Sequence, residues 1–168
     1  MRRFAARLFL LLLAVSAFPQ SSKQRKQEDN LYADALTASI TEMQKQWGYV
    51  DDSDNGSRKR TDFNHMIVRK DPELTDGLSS EFGEHHIEYL DDQALAEKYN
   101  ALKKEFAVLT IHPIHKEGAH LRIQVSTSWV EYKKKGLWFG ISDWSDVEFQ
   151  YDCDKRRYVI SSVELGGI

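Results

Sequence analysis

Six histidines are the first residues here whose type could do chemistry: His65, His85, His86, His112, His115 and His120. Zinc needs three or four ligands within about 2.0–2.3 Å of one point. No histidine spacing in the chain matches a ligand pattern, and no His-Glu-x-x-His segment occurs. His85 and His86 are neighbours on an expected strand, so they face opposite ways. His112 and His115 flank Pro113 on an expected sheet edge. No metal and no cofactor are therefore expected. A second pattern is Asp51, Ser53, Asn55, Gly56, Ser57 and Asp62, which fall at positions 1, 3, 5, 6, 7 and 12 of a calcium loop. Arg58, Lys59 and Arg60 oppose a cation there, and Asp62 is shorter than the usual bidentate glutamate. Turn chemistry explains the same residues.

Covalent catalysis has few candidates. No Gly-x-Ser-x-Gly elbow occurs. Cys153 is the single cysteine, so an internal disulfide is impossible. It lies at an expected hairpin turn between Asp152 and Asp154, whose carboxylates oppose a thiolate nucleophile. Acid/base work has better candidates. His120, Asp146, Glu148 and His112 all fall on the polar side of expected strands, and they would act together if that face lined a pocket. For recognition, Trp138, Phe139 and Trp144 stand out. With Leu137, Gly140 and Ile141 they follow Lys133-Lys134-Lys135-Gly136 and are expected between two strands. Large aromatics placed there serve either a binding surface or the closure of an open core end.

The elements that must position these residues follow from periodicity. Tyr32, Leu36, Ile40, Met43 and Trp47 recur at helical steps and predict a helix from Asp29 to Trp47, capped by Asp29 or Asn30 and stopped at Gly48. Leu95, Tyr99, Leu102 and Phe106 predict a second, from Asp92 to Lys104. Strands are expected at Phe63–Arg69, His85–Leu90, Ala107–His115, His120–Tyr132, Trp144–Tyr151 and Tyr158–Leu165. Pro113 marks an edge or a bulge. The absence of an obvious strand–helix–strand alternation argues against a parallel sheet. The fold expected is α+β: N-terminal amphipathic helices packed on a curved antiparallel sheet of about four to six strands.

The start of the chain carries its own signal. Arg2, Arg3 and Arg7 precede an apolar run from Leu8 to Val15, and Val15-Ser16-Ala17 supplies small residues for cleavage. Residues 1–17 read as a signal peptide, 18–28 as a flexible polar leader and 29–168 as one domain. The expected location is periplasmic or secreted. The apolar run is shorter than the roughly 20 residues that span a bilayer, so no stable membrane anchor is expected after cleavage. Across the whole chain 26 acidic side chains already exceed 23 basic ones, and losing the leader's arginines widens that excess. An acidic domain is poorly suited to a phosphate backbone, so nucleic acid is not an expected partner.

Two helices ahead of a curved antiparallel sheet resemble nuclear transport factor 2-like and cystatin-like domains. Locally, Tyr132-Lys133-Lys134-Lys135 and Tyr151-Asp152-Cys153, near a Gly-Ile terminus, resemble exported bacterial domains of uncharacterised function. The resemblance implies a fold and a location and assigns no catalytic residue. The expectation is an exported, non-catalytic domain that binds a small ligand or protein partner on the concave side of its sheet. The alternative is a small nuclear transport factor 2-like enzyme using the acid/base residues in a sheet-lined pocket.

Overall fold

The computed structural model describes residues 22–47, 62–133 and 136–167. In chain order its elements are α1 (Ser22–Trp47), β1 (His65–Arg69), β2 (Glu81–Phe82), β3 (His85–Leu90), α2 (Asp92–Leu102), β4 (Phe106–Ile111), β5 (His115–Glu117), β6 (His120–Lys133), β7 (Gly136–Asp152) and β8 (Arg157–Gly167). The expected signal peptide and most of the calcium-loop pattern, Asp51 to Ser57, lie outside the described residues. So does Gly48. No described helix is long and apolar enough to cross a membrane.

Helix α1 begins at Ser22, upstream of the expected start, so residues 22–28 are helical rather than a flexible leader. It buries Leu31, Tyr32, Ala35, Leu36, Ile40 and Met43 along one broad stripe. Thr37 and Thr41 return their hydroxyls to the carbonyls of Ala33 and Thr37, so these β-branched polar residues cost the helix little. Helix α2 starts where the Asp91 side chain accepts from Ala94 N at 2.8 Å. It ends at Lys103, which takes a left-handed conformation (φ 53°) and donates its N–H to Tyr99 O.

The sheet differs from the expected one. Eight strands form a single sheet in the order β2-β3-β1-β4-β6-β7-β8, with β5 on β6. It is mixed: β1 runs parallel to both β3 and β4. Among the described residues only α1 precedes it. The expectation of N-terminal helices on an antiparallel sheet of four to six strands is therefore corrected. The physical reason is the unit β3–α2–β4, in which α2 carries the chain back so that both strands run the same way and β1 inserts between them. Two very short strands, β2 and β5, complete the count. The His115 end of the expected strand Ala107–His115 leaves β4 after Ile111 and becomes β5.

Both faces of this sheet are used. Met66, Val68, Leu109, Ile111, Ile123, Val125, Val147 and Phe149 pack under α1 in one core. The alternate residues Ile67, Val108 and Val130 pack with Leu95 of α2 on the other face, joined by Phe106, Leu137 and Phe139. A β-bulge in β7 lies opposite Thr127 and Ser128. It explains how Leu137 and Phe139 point to the α2 side while Ser145, Val147 and Phe149, of the same odd parity, point to α1. A polar seam docks α1: the buried Ser145 hydroxyl donates to Ser39 Oγ at 2.6 Å, and Ile114 N donates to the Tyr32 hydroxyl at 3.2 Å.

Candidate functional site

Helix α2 covers only part of its face of the sheet. Over β6, β7 and β8 the remainder carries polar rows. Gln124, Asp146 and Glu164 stand in one row, and Arg122, Glu148 and Ser162 stand in the next. Ile123, Val147 and Val163 alternate with them into the α1 core, which fixes the outward direction of the rows. This face gathers all four acid/base candidates. His120 Nδ1 lies 2.5 Å from Glu148 Oε1, without the alignment of a directed hydrogen bond. Gln124 Nε2 donates to Asp146 Oδ1 at 3.2 Å. His112 Nε2 and Ser126 Oγ are 2.9 Å apart. Arg122 is held by Glu117 at 2.8 Å.

The candidates thus share a face but separate into pairs. His120 meets Glu148, whereas His112 and Asp146 each have a neutral partner. A histidine–carboxylate pair moves protons productively only beside a held substrate, and an open sheet face does not exclude water.

The three aromatics do not form one surface. They belong to β7 itself, which begins at Gly136 rather than at Trp144. The bulge breaks the alternation and makes one strand read as a loop followed by a strand. Trp138 is 49% exposed, lies against Gly140 and has Lys133 Nζ 3.8 Å from a ring centroid. Phe139 packs into the α2-side core, with Arg69 over its ring at 4.8 Å. Trp144 lies over Gly166, where a Cβ would meet its indole at 2.2 Å. Trp144 is paired in register with Ser126 beside the polar rows, away from Trp138.

Of the other histidines, His65 and His86 face each other across β1 and β3 with ring centroids 5.9 Å apart, and each of the four has its own polar partner. His85 Nδ1 is 2.7 Å from Phe63 O, and His86 Nδ1 is 2.7 Å from Glu81. His65 sits 3.4 Å from Asp62, and His115 sits 3.7 Å from Glu117. Among the described residues no three His, Cys, Asp or Glu side chains come close enough to hold a metal ion. Cys153 is exposed in the β7–β8 turn. Asp152 organises that turn by accepting from the backbone N–H groups of Asp154 and Lys155, both at 3.0 Å. The Lys155 N–H and then the Lys155 side chain hold the Asp152 carboxyl below its usual range. Burial raises Asp34, with Arg157 opposing. Burial also pushes the Tyr89 hydroxyl up to about 12, and that hydroxyl donates to Ser79 O at 2.8 Å.

A walled site lies elsewhere. Where β1 and β4 begin and α2 ends, the structure holds a cavity of about 690 Å³. That volume is within the range of small-molecule sites. Tyr99, Phe106 and Ile67 line it on the α2 face, and Met66, Ala107 and Trp129 line it on the α1 face by strand alternation, so the recess wraps the ends of β1 and β4. Leu102, 44% exposed, stands at the opening with Lys103 and Lys104. Sequence reasoning used Tyr99, Leu102 and Phe106 only as a helix stripe and did not single out the lysines. The available signal was a basic pair set between aromatics at a helix end.

No family model and no curated protein matches this chain. Among solved structures, a chain from Catenulispora acidiphila determined at 2.5 Å aligns over 45% of this chain and 54% of its own length, with 14% identity and a TM-score of 0.23. The match therefore spans about half of that chain, and likeness at this level assigns no fold.

Proposed function

We propose that this chain is an exported, non-catalytic binding domain, and that its ligand is a small molecule taken into the cavity beside α2. The observation that carries this reading is the cavity itself, about 690 Å³ with three aromatic side chains in its lining. Binding sites are concave and mostly apolar, with a few polar groups that set orientation. The cavity has that composition and the β6–β8 face does not. The basic, apolar and small-residue order of residues 1–17 supports export.

The leaderless protein, residues 18–168, titrated with the neutral fluorophore N-phenylnaphthylamine, tests the reading. Saturable one-to-one binding is expected, and Ala107→Trp, which fills the cavity, should abolish it. Leu102→Trp, at an exposed position, does the same at the opening with less demand on folding. Absence of saturable binding, or binding indifferent to both variants in folded protein, contradicts the reading. Fractionation of bacteria expressing the full chain tests export: a shortened product in the periplasm is expected, and a full-length cytosolic product contradicts it.

A further inference from the structure

We infer that the cavity selects an anionic amphiphile: a flat apolar body against Tyr99 and Phe106, with a carboxylate, sulfonate or phosphate at the opening held by Lys103 and Lys104. This rests on the cavity being the ligand site. The charges around the cavity divide into committed and uncommitted groups. Asp62 accepts from Asn64 N at 3.0 Å and lies beside His65. Lys98 is paired with Glu88. Glu105 also has a partner. The charged side chains of Lys103 and Lys104 take part in no ion pair among the described residues, and both are exposed. The Glu105 Oε2 atom is buried in the lining without a hydrogen bond, so the positive groups left for a ligand are the two lysines at the opening, next to aromatic walls. A ligand anion would gain charge-assisted hydrogen bonds from two ammonium groups, which are stronger than neutral ones.

The backbone supplies a second, independent observation. Lys103 has φ 53°, the left-handed conformation that closes a helix and is usually given to glycine. A lysine there carries a conformational cost that glycine lacks. It places a cationic side chain at the opening, directly before Lys104.

Two probes with the same aromatic body separate this inference from the reading beneath it: anilinonaphthalene sulfonate, which is anionic, and N-phenylnaphthylamine, which is neutral. The anionic probe should bind the leaderless protein about tenfold more tightly at low salt, and added salt should narrow the gap. The double variant K103Q/K104Q should remove most of that preference while leaving the neutral probe unchanged. Lys103→Gly should raise the unfolding midpoint and still weaken the anionic probe, a combination that a purely structural lysine would not give. Equal affinities for the two probes, both lost in Leu102→Trp, overturn the charge selectivity and leave the cavity as the site. Failure of both probes to bind overturns both.

Discussion

The β6–β8 face and the cavity beside α2 both present polar side chains near a half-buried tryptophan or tyrosine, yet they differ in how those groups are used. On the sheet face the polar groups answer one another: His120 to Glu148, Gln124 to Asp146, Arg122 to Glu117. Strand register sets these neighbours at cross-strand distance, where opposite charges and amides pair locally. At the cavity the chain has just left a helix, no register supplies a partner, and Lys103 and Lys104 project from consecutive residues at an opening. A surface whose charges mostly face opposite or neutral partners has less to give a ligand than a recess with two lysines outside any ion pair. That difference locates the binding site better than residue type does, since residue type favours the histidine-rich face.

The largest expected effect tests what backs the open face. Phe149 is fully buried beneath the polar rows, and Phe149→Ala should cost about 3–5 kcal/mol in chemical denaturation. A loss below about 1 kcal/mol would mean that no packed core supports the rows. The seam between α1 and β7 comes next. Ser145→Ala leaves the buried Ser39 hydroxyl without its neighbour and should cost about 1–2 kcal/mol. The double variant S39A/S145A should cost less than the sum of the single changes; strict additivity would show that the two hydroxyls do not interact.

Tyr89 sharpens the contrast between sealed and open regions through pH. The pKa of its hydroxyl is raised in the folded chain to about 12, above the ordinary tyrosine value of 10.0. The neutral phenol is therefore favoured by folding. Its contribution is complete below about pH 10 and is lost as pH climbs toward 12. Tyr89→Phe should lower stability at neutral pH by about 0.5–1.5 kcal/mol through the lost hydrogen bond to Ser79 O, and should flatten the decline between about pH 10 and 12. An unchanged alkaline profile would remove Tyr89 as its source. The smallest effect belongs to the open face. His120→Gln should change stability by no more than about 1 kcal/mol, because the His120–Glu148 pair is only half-buried and lacks a directed hydrogen bond, and it should leave probe binding at the cavity untouched. A loss of binding in that variant would break the comparison.

Much of the local structure was legible in the sequence. The stripe Tyr32, Leu36, Ile40 and Met43 does face the core, and the outward set of β6, from His120 through Gln124, does share a face with Asp146 and Glu148. Pairing between distant segments was less accessible. A strand, a helix and a strand were in view from His85 to Ile111, but the insertion of β1 between the two strands depends on contacts that alternation does not encode. The bulge in β7 was hidden for the same reason: one extra residue at Gly140–Asp143 breaks period-two alternation and makes one strand look like a loop plus a strand. The cavity was invisible because its walls come from three segments, each residue of which has an ordinary reason to be where it is.

Amide nitrogen–proton correlation spectra of the leaderless protein, recorded during titration with N-phenylnaphthylamine, test the assignment of the binding site most directly. The account predicts that the perturbed amides cluster at Tyr99, Leu102, Lys103, Phe106 and Ala107, around the cavity. Perturbations centred instead on Gln124, Trp144, Asp146 and Ser162 would place the ligand on the open sheet face and contradict it.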